Sequence, residues 1–131
     1  MPCVLIVEDD PDVREFLEFL LAENGYETTL AQNGRDALIQ MAARKPSVVL
    51  LDLNMPVMDG WEFRREQLDD PRKAGVPVVV VTAHYDPHDV ERTLGVKCVT
   101  KPIQVDQVLA EVQQACAARR DQSARDRLNQ V

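Results

Sequence analysis

The sequence predicts a doubly wound α/β domain: one five-stranded parallel sheet with helices on both faces. Three short apolar runs predict the sheet: Val4-Leu5-Ile6-Val7, Val48-Val49-Leu50-Leu51 and Val78-Val79-Val80-Val81. Runs of this length, rich in β-branched residues, suit strands buried on both faces. Amphipathic segments fill the gaps between them. Strands alternating with helices in this way give right-handed crossovers and a parallel sheet.

The elements follow in order. The first strand covers Cys3 to Val7. Asp10 caps the helix after it, with Pro11 at the first helical position. Val13, Phe16, Leu17, Leu20 and Leu21 form the apolar stripe of that helix, and Asn24-Gly25 supplies its stop. A weaker strand fits Thr28 to Ala31. Asn33 caps a second helix carrying Ala37, Leu38 and Met41. Asp59 caps a third, with Glu62 as capping-box partner. Pro87 opens a short fourth helix, His88 to Leu94, which Gly95 ends. A second weak strand fits Lys97 to Thr100. Val105, Val108, Leu109, Val112 and Cys116 make the stripe of the last helix. The domain is expected over residues 1–118, with a polar tail over 119–131 that either extends the last helix or frays. The arrangement is flavodoxin-like, with strand order 2-1-3-4-5.

Composition excludes several classes. The chain has 131 residues, enough for one domain, and 45% are hydrophobic, too many for a disordered segment. The formal net charge of -7 opposes binding of nucleic acid by the chain itself. No run of about 18 apolar residues offers a membrane span. The N-terminus reads directly into a strand and lacks the features of a signal peptide. Cys3, Cys98 and Cys116 are odd in number and far apart, which fits reduced thiols in a cytoplasmic protein.

In doubly wound sheets, ligands bind beyond the carboxyl ends of the strands, where the strand order reverses. Glu8, Asp9 and Asp10 follow the first strand, Asp52 the third, Thr82 the fourth and Lys101 the fifth. Carboxylates about 4 Å apart repel by roughly 1–4 kcal/mol for effective dielectrics between 80 and 20. Such a cluster raises a carboxyl pKa or holds a cation. All-oxygen donors favour Mg²⁺, with Mn²⁺ as a substitute. A carboxylate beside such an ion can attack phosphorus, with Lys101 and the Thr82 hydroxyl on the phosphoryl oxygens.

Val4 to Pro11, Leu51 to Gly60 (Leu-Asp-Leu-Asn-Met-Pro-Val-Met-Asp-Gly), Val81-Thr82-Ala83 and Thr100-Lys101-Pro102 together resemble the receiver domain of two-component response regulators. The resemblance covers residues 3 to about 118. It implies that Asp52 is the phosphoacceptor and that Thr82 and Lys101 contact the phosphoryl group. Asp9 and Asp52 would ligate Mg²⁺ directly, Asn54 through its backbone carbonyl, and Glu8 through water. The Lys101-Pro102 peptide is expected to be cis. The implied donor is a histidine kinase or a histidine phosphotransfer protein. The implied activity is a switch or phosphorelay intermediate, catalysing only its own phosphotransfer and slow self-dephosphorylation.

Two features depart from the family's pattern. Cys98 stands where the family commonly has Tyr or Phe, three residues before the lysine. The stretch from Thr82 to Lys101 is short by about one helical turn. That shortening predicts that the common dimer face is not used, so a monomer or weak homodimer is expected. His84 and His88 have the spacing of a metal pair, but Pro87 interrupts any helix joining them. His84 is expected near the mouth of the site, and Trp61 in packing or partner contact. Three competing readings are an aspartate-nucleophile phosphatase, an FMN carrier and a pseudo-receiver. The first would place its nucleophile after the first strand. The second would need a phosphate-binding loop that is not acidic. The third is opposed by the intact Asp9, Asp52, Thr82 and Lys101.

Overall fold

The structure, a computed structural model, describes residues 2–128, with side chains described through residue 118. The elements alternate without exception. They are β1 (Cys3–Val7), α1 (Pro11–Glu23), β2 (Glu27–Ala31), α2 (Gly34–Ala43), β3 (Val48–Leu51), α3 (Gly60–Asp69), β4 (Val78–Thr82), α4 (Pro87–Leu94), β5 (Lys97–Thr100) and α5 (Val105–Leu128). All strand pairs are parallel and the order is β2-β1-β3-β4-β5, as the sequence predicts. α5 passes through the expected boundary at 118/119 as one helix. The side chains of the expected tail, 119–131, lie outside the described residues.

The strand pleat divides the core in two. Leu5, Val7, Val49, Leu51, Val78, Val80 and Cys98 face Ala37 and Met41 of α2, Phe63 of α3 and Val90 of α4. The alternate residues, Val4, Ile6, Val48, Leu50, Val79, Val81 and Val99, face Leu17 and Leu21 of α1 and Val108, Val112 and Cys116 of α5. A period of two along each strand thus fills both faces, and the central strands contain no polar residue before their carboxyl ends.

Side-chain caps set where the helices begin. Asp10 accepts from the backbone of Asp12 and Val13, Asn33 from Asp36 and Asp59 from Glu62. Asp86 caps α4, accepting from His88 and Asp89, and Gly95 ends it at φ 65° in the left-handed region. α4 has 8 residues, the short helix expected from Pro87 and Gly95. β2 begins at Glu27, one residue before the predicted start, because Glu27 is in register with Cys3 of β1. The Lys101-Pro102 peptide is cis.

Candidate functional site

Four strand ends bring the predicted residues together. Asp52 follows β3, and its backbone N–H donates to Val7 O at 3.0 Å, which locks the ends of β1 and β3 in register. Glu8 follows β1 and donates from its N–H to Ala31 O at 3.0 Å. The Arg14 guanidinium, one turn into α1, donates to Glu8 O at 2.8 Å and fixes the turn between them. Thr82 ends β4, and its carbonyl accepts from the Lys101 N–H at 2.9 Å. That bond sets Lys101 at the end of β5, facing the carboxylates.

Oxygens of Glu8, Asp9 and Asp52 lie within 4.8 Å of one another. Glu8 and Asp52 are buried, whereas Asp9 is exposed. Lys101 Nζ donates to Glu8 Oε1 at 2.8 Å and stands 3.8 Å from Asp52 Oδ2. One cation therefore serves two buried carboxylates. Burial pushes the Glu8 carboxyl up to about 8, and the neighbouring Asp52 adds to the rise, while Lys101 opposes it. Two buried polar atoms at this edge, Glu8 Oε2 and Thr82 Oγ1, have no hydrogen-bond partner among the described residues. Orphaned buried polar atoms are uncommon and call for an occupant or a function.

A cleft of about 240 Å³ opens over these groups, lined by Glu8, Asp9, Asp10, Asp52, Asn54, Ala83, His84 and Lys101. His84 thus stands at the mouth, as expected from its position. Asp10 lines the cleft too, but its side chain is engaged in capping α1. A larger cavity of about 510 Å³ lies at the opposite edge, between Pro77-Val78-Val79 and Gly95-Val96-Lys97. It holds none of the carboxylates of the cluster and is not the site.

The loop between β3 and α3 is shaped by close backbone approach. A Cβ on Gly60 would stand 2.5 Å from Asp52 O and 2.8 Å from Leu53 Cα. A Cβ on Gly34 would meet Met58, whose carbonyl accepts from Gly34 N at 2.8 Å. Between these anchors Val57 sits at φ 70°, a strained conformation for a β-branched residue, with its side chain in solvent. Asn54 N lies 3.5 Å from Asp52 Oδ1. The Tyr85 hydroxyl donates to Asn54 Oδ1 at 3.1 Å, and the Tyr85 ring meets the Trp61 indole edge-on, with centroids 5.3 Å apart. This pairing of Tyr85 with Asn54 and Trp61 had no signal in the sequence. Cys98 lies under α4 with Val90, and burial pushes its thiol up to about 11, so it is an inert core group.

Comparison with known proteins agrees with this geometry. The family profile described as "Response regulator receiver domain" matches residues 4–113. The chain belongs to that family. It is 33% identical over 126 residues to the DNA-binding response regulator MtrA of Mycolicibacterium smegmatis, covering 92% of this chain but 53% of that one. The chain thus spans about half the length of that relative. Among solved structures, the receiver domain of a signal transduction histidine kinase from Syntrophus aciditrophicus superposes with a TM-score of 0.81. It is 33% identical and covers 90% of this chain and 92% of that one. The receiver domain of the sensor histidine kinase PA1611 from Pseudomonas aeruginosa PAO1 is 26% identical, with a TM-score of 0.81 over 88% of this chain and 98% of that one. That structure has a magnesium ion coordinated in its active-site cleft. Receiver domains are signalling switches, and no helix among the described residues is long and apolar enough to cross a membrane.

The residues present fit a hard divalent cation. The donor set is all oxygen, two of the carboxylates are buried against each other, and Glu8 Oε2 lacks any donor.

Proposed function

We propose that this receiver accepts a phosphoryl group from a phosphohistidine donor on Asp52. One observation carries the assignment. Asp52 is a buried carboxylate at the end of a central strand, with the Lys101 ammonium 3.8 Å away and the buried Thr82 hydroxyl at the end of the next strand of the same sheet edge. In the reaction a carboxylate oxygen of Asp52 bonds to phosphorus as the phosphorus–nitrogen bond of the donor breaks. The electron pair of that bond stays on the departing imidazole, which takes up a proton. Lys101 and Thr82 would hold two phosphoryl oxygens through charge-assisted hydrogen bonds. Lys101 exchanges its bond to Glu8 for one to the phosphoryl group.

Mg²⁺ would be held by Asp9, Asp52 and the backbone carbonyl of Asn54, with Glu8 acting through water; Mn²⁺ suits the same donors. Bound there, the ion neutralises charge on the phosphoryl oxygens. The implied donors are histidine kinases or histidine phosphotransfer proteins, and residues 1–118 form the working unit. Chemistry beyond self-phosphorylation and slow loss of the phosphoryl group is not part of this reading. Three buried cysteines suit a reducing, cytoplasmic setting.

The test is intact-mass analysis after incubation with acetyl phosphate and Mg²⁺, beside Asp52→Asn. One phosphoryl group added to the native chain and none to the variant is the expected result. Addition to the variant would move the acceptor elsewhere. No addition from acetyl phosphate or from phosphohistidine donors, in a folded sample, would make the chain a pseudo-receiver.

A further inference from the structure

We propose that Tyr85 is a positioning residue that latches the mouth of the cleft to Trp61 while the site is empty. Filling the site releases the latch, so the first turn of α3 becomes the surface that reads the site's state. This rests on the assignment of Asp52 made above.

Tyr85 ties together two loops that flank the cleft. Its hydroxyl donates to Asn54, two residues after Asp52, and its ring lies against Trp61 at an interplanar angle of 78°. Trp61 packs in turn on the core beneath α3. Tyr85 is only three residues after Thr82, and α4 begins at Pro87. Little slack separates the buried Thr82 hydroxyl from the latch. That hydroxyl has no hydrogen-bond partner among the described residues. A phosphoryl group on Asp52 brings it an anionic acceptor and draws the end of β4 toward the cleft. The latch consists of one neutral hydrogen bond and one edge-to-face ring contact. Charge-assisted hydrogen bonds to a phosphoryl group are stronger than either. Filling therefore displaces the ring, and the indole gains contact with water.

The alternative route, through β5, has little to move. Cys98 is a small side chain buried beneath Val90, in register with Val80. The bulky aromatic groups in contact near the cleft are Tyr85 and Trp61.

Trp61 is the only tryptophan in the chain, so its emission isolates this contact. The experiment compares the full chain, Tyr85→Phe and Tyr85→Leu, each with Mg²⁺ alone and with Mg²⁺ plus beryllofluoride as the phosphoryl analogue. Fluorine NMR reports whether the analogue is bound. The native chain is expected to shift its emission to longer wavelength on binding. Tyr85→Leu should emit at the longer wavelength already and lose the shift. Tyr85→Phe, which keeps the ring but lacks the donor, should lose at least half of it. A native chain that binds the analogue with no change in Trp61 overturns the latch, as does a full shift retained in Tyr85→Leu. If no analogue binds and no phosphoryl group is added to Asp52, the functional reading fails and the latch falls with it.

Discussion

Replacing Thr82 by valine should make the empty protein more stable while disabling its response to phosphorylation. Thr82 is fully buried, and its Oγ1 has no hydrogen-bond partner. An unsatisfied buried hydroxyl costs about 1–3 kcal/mol of desolvation. Valine keeps the β-branched shape that suits the end of β4, between the buried Val81 and the sheet partner Thr100, and removes the polar atom. Part of the gain is lost to imperfect packing of the new methyl, leaving about 1–2 kcal/mol. For a domain of this size that raises the Tm by about 4–8 °C. Thermal unfolding of the native chain and Thr82→Val, with and without Mg²⁺ and beryllofluoride, checks the reasoning. With the analogue bound, the native hydroxyl acquires its acceptor and the advantage of the variant should shrink or reverse. A variant that melts below the native protein without ligands would show that the hydroxyl is satisfied in the empty state, and the argument from its isolation would fail.

Three further outcomes follow from the same geometry. Gly60→Ala drives a methyl into the backbone of Asp52 and Leu53, which cannot move aside as a flexible side chain would; a loss of about 1–3 kcal/mol in urea unfolding is expected, with slower phosphorylation, and a loss under about 0.5 kcal/mol would contradict the close approach. The Glu8 carboxyl is raised from 4.5 to about 8, so in the metal-free protein its stabilising effect is complete below about 4.5 and is lost as pH rises through about 8. With Mg²⁺ held beside a charged Glu8, as proposed, the Tm increase caused by the ion should be larger at pH 8.5 than at pH 6, and an equal increase at both would remove Glu8 from the metal's surroundings. Lys101→Met strips Glu8 of the cationic partner at 2.8 Å and should destabilise the metal-free protein more at pH 9 than at pH 6, where the carboxyl is already neutral; denaturant midpoints at the two values decide it.

The fold was legible wherever local chemistry and burial agree. Val48 to Leu51 and Val78 to Val81 are continuous apolar runs because both faces of the inner strands are covered, so a four-residue window identifies them. Asp10, Asn33 and Asp59 announce helix starts through side chains that reach only two or three residues ahead. The site was legible by the same reasoning, since a parallel sheet brings the residues after β1, β3, β4 and β5 to one edge whatever their separation in the chain. Contacts that depend on the path of a loop left no such trace. Nothing in the spacing of Asn54, Trp61 and Tyr85 indicates that they touch, because their meeting depends on the course of two loops over the cleft. Val57 misleads in the opposite direction: a β-branched residue argues against positive φ, yet the chain adopts it between the anchors at Gly34 and Gly60. Gln67 looks like a solvent-facing residue of a polar helix. It is fully buried and donates to the carbonyls of Lys73 and Val76, closing the turn into β4.

The site is a local conflict within an otherwise consistent core. Elsewhere among the described residues the buried side chains are apolar, or polar with a partner, as Gln67 is. At the carboxyl edge two carboxylates share one ammonium group, a carboxylate oxygen and a hydroxyl lack partners, and a neighbouring loop carries a strained valine. The crowded carboxylates and the unpartnered hydroxyl are each relieved by an addition of definite sign. A cation relieves the crowded carboxylates, and an anionic group between Lys101 and Thr82 satisfies the hydroxyl. Neither addition suffices alone: a cation leaves Thr82 unsatisfied, and an anion beside uncompensated carboxylates is repelled. A site that needs both at once would respond to phosphorylation only with the proposed metal in place. That requirement separates a switch from an acidic patch that merely collects ions.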